Sequence, residues 1–252
     1  MKVAQKWPEE KPGVEELKGR LLDRFADRLK HRPHECTLTS FGVHHDMVRE
    51  AGRRILEFRN HGETIAINEI GAGMEERSGI AVLGRSVTKR NAVFEPFELL
   101  NEVRKAGIKP EEFALYVMDI RKDALLAVKA TKVLMVHAGE RNSRYFQEFF
   151  PDSHEKERGG FIPVRIPKEY RERIICPKPL DIEKTPAPVK AHVTFSYIPA
   201  VLGNSRYSDN LVKSTRGGGY ILCQDFDDAV AKRFGLEAAQ HPELYFSIYR
   251  VR

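Results

Sequence analysis

The stretch 213–228 limits most strongly how this chain can fold. It runs from Lys213-Ser214-Thr215-Arg216 through three consecutive glycines to the apolar Tyr220-Ile221-Leu222-Cys223. It then ends in the acidic Gln224-Asp225-Phe226-Asp227-Asp228. Glycine loses more backbone freedom on folding than any other residue, so a helix or strand interior is not expected at 217–219. Glycines do allow positive φ and close approach of N–H groups to an anion. Lys213, Ser214, Thr215 and Arg216, with Gly217 and Gly218, therefore read as a phosphate-binding nest. Residues 220–223 read as a short buried strand. Asp225, Asp227 and Asp228 follow its C-terminal end, where an open α/β sheet gathers ligands and metals. The plainer alternative is a surface loop, a strand, and an aspartate cap opening a helix over 228–234.

Around this stretch the apolar spacing alternates between helical and extended. Val14, Leu17, Leu21, Phe25 and Leu29 predict a helix over 13–30, and Met47, Ala51, Ile55 and Phe58 predict another over 46–59, capped by Asp46. A third is expected over 96–106, with Phe97, Leu99, Leu100 and Val103 inward and Gly107 closing it. Strands are expected at 63–70, 113–118, 132–136, 191–198 and 244–251. A proline-containing edge strand is expected at 161–166 and a short aromatic helix at 142–150. Residues 124–130 fit either type, and 199–219 read as a long loop. The expectation is a mixed α/β or α+β fold, with a mixed β-sheet core and N-terminal amphipathic helices. Residues 1–176 form its main domain, 177–190 a proline-rich linker or crossing segment, and 191–252 a β-rich part completing the same fold.

The run Asn68-Glu69-Ile70-Gly71-Ala72-Gly73 resembles the glycine loop of S-adenosylmethionine-dependent methyltransferases. In that family the loop opens a helix whose N–H groups face the cofactor. Here Met74-Glu75-Glu76-Arg77-Ser78-Gly79 is short, charged and closed by a further glycine, and Gly79-Ile80-Ala81-Val82-Leu83 looks like a returning strand. The expectation is a β-hairpin with a charged tip, Gly71 and Gly73 being a secondary candidate for a nucleotide-type cofactor. His192-Val193-Thr194 matches half of the two-histidine phosphoesterase signature, with no second copy. The histidines near 31–45 lack zinc-ligand spacing.

A net charge of +6 favours a polyanionic partner. Arg85, Lys89 and Arg90 form a basic segment able to track a phosphate backbone. Cys36, Cys176 and Cys223 are too dispersed for a disulfide framework or a zinc site, which points to a reducing, cytoplasmic setting. No secretory leader or apolar run of membrane-spanning length is read, so no membrane partner is expected. These features lead to a nucleic-acid-binding protein, with a metal-dependent phosphodiesterase or nuclease as its catalytic form. In that form Asp119, Asp225 and Asp227 are the catalytic residues, and Asp119, Asp225 and Asp228 would hold Mg2+. The alternative is a non-catalytic nucleic-acid-binding or structural subunit engaging protein partners, in which the carboxylates do not converge.

Overall fold

In the computed structural model the described residues are 45–71, 95–196, 205–223, 226–239 and 246–252, all within the unit Thr37–Arg252. The expected helix at 13–30 and the basic segment with Arg85, Lys89 and Arg90 lie outside them.

Helix α1, His45–Leu56, forms because Met47, Val48, Ala51 and Ile55 recur on one buried face. Asp46 sits in its first turn and Arg53 and Arg54 in its last, each matched to the helix dipole. Strand β1, Ile65–Ile70, leads to helix α2, Glu95–Lys105, which buries Phe97, Leu99, Leu100 and Val103. Strand β2, Phe113–Met118, is followed by helix α3, Lys122–Ala130, which resolves the ambiguous stretch as helical. Strands β3, Val133–His137, and β4, Phe161–Arg165, form a separate antiparallel pair, with the short helix α4, Arg144–Glu148, between them. This pair is tied to α2: Asn101 Oδ1 accepts the Phe150 N–H at 3.0 Å, and Lys105 Nζ meets Glu148 at 2.7 Å. Lys105 and Arg144 together hold the Glu148 carboxyl at about 2.

Helix α5, Lys168–Arg171, enters strand β5, Ile174–Ile175; strand β6, Ala191–Ser196, and helix α6, Ser205–Lys213, precede strand β7, Thr215–Cys223. Helix α7, Asp228–Arg233, and strands β8, Glu237–Ala238, and β9, Ser247–Arg250, complete the described elements. Seven strands make one sheet in the order β5-β2-β1-β6-β7-β9-β8. Pairing is parallel from β5 to β7 and antiparallel around β9. The chain thus has a mixed α/β fold, a mostly parallel sheet flanked by helices. Ile65, Ile67, Leu115, Val117, Val193 and Phe195 pack on the α1 and α2 side. Ile70, Met118, Ile221 and Cys223 pack on the α6 side with Tyr207 and Leu211. Covering both faces explains why all six residues of β6 are buried.

Residues 177–190 are stitched to this sheet. Leu180 N donates to Asp119 O, Asn68 Nδ2 to Val189 O, and Asn210 Nδ2 to Ile182 O.

Two local expectations are corrected. The loop expected over 199–219 holds α6 and the start of β7. Its glycines lie within a strand, as a bulge: between paired positions β6 advances from Ala191 to Val193 while β7 advances from Thr215 to Tyr220. Three extra residues are absorbed there, with Gly218 at φ +79°. At Gly219 a Cβ would stand 2.7 Å from His192 O and 3.0 Å from Arg216 O, so only glycine fits without a shift. The hairpin expected from β1 also fails, because β2 occupies one edge of β1 and β6 the other. Residues 79–83 themselves lie outside the described set.

Candidate functional site: the carboxyl edge of the sheet

The strand order reverses at β1, with β2 and β5 on one side and β6 and β7 on the other. In an open α/β sheet, the crevice outside the carboxyl ends of the strands at such a reversal is where ligands bind. Gly71 leaves β1 here. Its N–H donates to Met118 O at 2.7 Å, and its φ of +90° turns the chain in the left-handed region that side chains disfavour.

Beneath this turn lies Glu69. Strand alternation puts it on the face of Ile65 and Ile67, toward α2. It has no solvent exposure, and neither carboxyl oxygen has a hydrogen-bond partner. Burial raises its pKa well above the usual carboxylate range, and the nearby Glu98 and Asp119 raise it further. Glu98, in the first turn of α2, is buried with Glu95. Tyr145 of α4 turns its buried hydroxyl toward Glu98, and burial together with Glu98, Glu102 and Glu95 raises the phenol's pKa well above normal. Asp119 follows β2, half-buried, with Oδ1 accepting the Arg121 N–H at 2.8 Å. Cys176, just beyond β5, is pushed up to about 11 chiefly by burial, with Glu69 contributing. On the other wall, at the carboxyl end of β6, Ser196 Oγ donates to Ile70 O at 3.4 Å and pairs with the buried Tyr207 hydroxyl.

The amino edge differs in chemistry. His192 Nδ1 accepts the Ala66 N–H at 3.0 Å, so the neutral ring carries its proton on Nε2, 3.2 Å from Glu63 Oε1. Arg216 Nη1 reaches the same Glu63 oxygen at 2.5 Å. Burial, then Arg216, lowers the His192 pKa against the pull of Glu63. Hydrogen bonds from His192 and Arg216 lower that of Glu63.

The residues singled out by sequence are distributed as follows. Ser214 Oγ accepts the Ala187 N–H at 2.8 Å, and Thr215 Oγ1 lies 2.7 Å from Thr194 Oγ1; both are buried. Lys213 and Gly217 are exposed, Gly218 carries the bulge, and Arg216 pairs with Glu63. Asp227 caps α7 by accepting the Ala229 N–H at 2.8 Å, and Asp228 Oδ1 accepts the Tyr249 hydroxyl at 3.4 Å. Asp225 lies outside the described residues, as do Arg85, Lys89 and Arg90. Asp119 and Arg216 are at opposite edges of the sheet, separated by the length of strands such as β6, about 20 Å for six residues at 3.3 Å each. Among the described residues, no three His, Cys, Asp or Glu side chains are grouped to hold a metal. No described helix is long and apolar enough to cross a membrane.

No protein-family model and no curated protein matches the sequence. Solved structures do. The N-methyltransferase NodS from Bradyrhizobium japonicum WM9, in complex with S-adenosyl-L-homocysteine, is 13% identical. It covers 89% of this chain and 90% of its own at a TM-score of 0.38. The ribosomal protein L11 methylase from Lactobacillus delbrueckii subsp. bulgaricus is 10% identical, covering 80% and 76%, at 0.39. A TehB-like SAM-dependent methyltransferase from Corynebacterium glutamicum is 11% identical, covering 93% and 100%, at 0.37. The mostly parallel seven-stranded sheet, with cores packed on both of its faces, is a doubly wound α/β arrangement.

The expectation of a nucleic-acid-binding protein or metal-dependent phosphodiesterase, together with its nuclease, hydrolase and magnesium chemistry, is corrected by where the structure places the described residues meant to carry it. Within this chain, the acid and the base meant to share a phosphate sit at opposite edges, and the hydroxyls of Ser214 and Thr215 are spent on internal bonds. Sequence reasoning singled out Asp119 but not Glu69 and Glu98, which the structure brings near it. The signal within reach was the glycine run after β1, set aside because the residues following it did not look helical.

Proposed function

We propose that this chain is an S-adenosylmethionine-dependent methyltransferase, with its cofactor in the crevice outside the carboxyl ends of β1 and β2. The observation that carries this reading is the buried acidic floor there: Glu69, unpartnered, with Glu98 and Asp119 beside it, under the left-handed Gly71. An acidic floor repels the pyrophosphate of a dinucleotide and attracts a cation, so it selects the cationic member among adenosine cofactors. When bound, the cofactor supplies an electrophilic methyl group on its sulfonium for transfer to a nucleophile. The chain's own residues then have separable tasks. Gly71 turns the backbone so that main-chain groups approach the ligand without a side chain between. Asp119, at the exit of β2, is placed to accept hydrogen bonds from a ribose diol, the task given to the acid that follows the glycine turn in nucleotide-binding sheets. Glu69 and Glu98 set the negative potential behind it. Ser196 and Tyr207, locked to each other and to Ile70 O, keep the neighbouring wall rigid.

The test is calorimetric binding of S-adenosylmethionine and S-adenosylhomocysteine to the wild-type chain and to Asp119→Ala. Wild type should bind both. Asp119→Ala should lose about 1.5–3 kcal/mol, a weakening of roughly 10- to 150-fold, because two hydrogen bonds to a charged group are removed. Absence of binding by wild type overturns the proposal, and full affinity in the variant removes Asp119 from the site.

A further inference from the structure

Glu69 raises a question that the methyltransferase reading leaves open: what state its carboxyl is in before a ligand arrives. Unpaired charges are not retained in protein interiors; the group neutralises instead. Glu69 is fully buried, and neither oxygen receives a hydrogen bond. The groups around it offer no relief. Glu98 faces it from α2 and Asp119 from the exit of β2, and both push its pKa further up. Cys176 lies toward it from β5, a neutral thiol, with Lys129 of α3 acting on that thiol from beyond. Tyr145, from α4, faces Glu98, and its phenol is neutral. Among the described residues, the charged groups that act on Glu69 are therefore acidic. Gly71, two residues on, follows β1 with φ +90° at the carboxyl edge of the sheet.

We propose that Glu69 is a proton-releasing counter-ion: it is protonated in the cofactor-free protein and ionises when S-adenosylmethionine binds, so that cofactor affinity rises with pH. This rests on the methyltransferase reading. The sulfonium and ammonium groups bring positive charge beside a carboxyl on which no cation among the described residues acts, and the ionised form becomes the favoured one. The proton leaves the Glu69 carboxyl for solvent, with no other bond made or broken. By linkage, a group that loses a proton on binding makes the affinity pH-dependent, up to about tenfold per pH unit for one whole proton. Binding thereby carries a built-in sensitivity to pH, and a neutral or anionic adenosine ligand gains nothing from it.

Calorimetry of S-adenosylmethionine binding at pH 7 tests this, in phosphate, HEPES and Tris, whose ionisation enthalpies differ. Wild type should release about 0.5–1 proton per cofactor bound, read from the slope of the binding enthalpy against buffer enthalpy. Glu69→Gln, which mimics the protonated carboxyl in shape, should bind more weakly, release none, and show a Kd flat between pH 6 and 8. The wild-type slope stands by itself should the variant fold poorly. Binding with the same heat in all three buffers overturns the inference and leaves the methyltransferase reading in place, as does unchanged proton release in Glu69→Gln. No binding of the cofactor by wild type overturns that reading and this inference with it.

Discussion

The amino and carboxyl edges of one sheet handle charge in opposite ways. At the amino edge Glu63 accepts from both His192 and Arg216, and the His192 ring also takes the Ala66 N–H and lies edge-on to Phe58. At the carboxyl edge Glu69 is more deeply buried, unsatisfied, and surrounded by acids. The first arrangement is complete as it stands and ties β1, β6 and β7 together. The second leaves a buried acid without a hydrogen-bond partner, the observation on which the proposed cofactor site rests.

The strongest way to break the amino edge is through its bulge. Gly219→Ala drives a methyl group to 2.7 Å from His192 O and 2.9 Å from Thr215 Cγ2, and backbone cannot give way as a flexible side chain can. It should destabilise by about 2–3 kcal/mol and lower the melting temperature by about 5–10 °C. Gly217→Ala, two residues earlier, has its nearest contact at 3.5 Å and should change stability by less than about 0.5 kcal/mol. Equal effects in a thermal melt would show that the bulge is not built around Gly219.

Next in size, and opposite in sign, is the loss of the uncompensated acid. Glu69→Leu should stabilise the chain by about 1–2 kcal/mol at pH 8 while abolishing cofactor binding, because an unsatisfied polar group becomes an apolar one. The sign depends on pH. The folded-state pKa of Glu69 is raised above 4.5, so the native state holds a proton that the unfolded chain releases; this favours folding below pH 4.5 and is lost as pH rises toward the folded value. His192 is lowered below 6.5, so its contribution is full above pH 6.5 and is lost as pH falls toward its folded value. The advantage of Glu69→Leu in urea midpoints should therefore be smaller at pH 4.5 than at pH 8. An equal advantage at both would show that Glu69 is ionised in the native protein.

The sequence disclosed these regions unequally, for physical reasons. Met47, Ala51 and Ile55 announced α1, and the apolar run of β2 announced itself, because burial of apolar stripes is a local pattern. Glu95, Glu98 and Glu102 also fall on one helical face, but an acidic face reads as solvent-exposed, and only tertiary packing buries it, with Gly52 of α1 close against Glu102. The glycines at 217–219 argued against a strand on propensity. The sheet overrode that preference by absorbing three residues in a bulge. Asp227 was legible as a helix cap, since capping needs only the next two residues. The run from Asn68 to Gly73 was visible, but it was judged by whether a helix follows at once, and the next described helix begins at Glu95. What brings Asp119 to Glu69 and Gly71 is the pairing of β1 with β2, which no short window contains.

The smallest expected effects lie in the paired trio itself, and they sharpen the contrast most finely. Glu63 and Arg216 are both substantially exposed, so neutralising either should move the melting temperature by no more than about 2 °C. Their effect on His192 should still be resolved. Arg216 disfavours the imidazolium and Glu63 favours it. Arg216→Gln should therefore raise the His192 pKa and Glu63→Gln should lower it, each followed by NMR titration of the ring. Since the His192 contribution is lost between 6.5 and its folded value, Arg216→Gln narrows that pH window and Glu63→Gln widens it. Shifts in the same direction would mean that the ring answers to its burial against Phe58 alone, and that the trio is a contact without electrostatic coupling. Opposite shifts with little change in stability would mark the amino edge as a closed charge system, needing nothing from outside, which is what Glu69 at the other edge lacks.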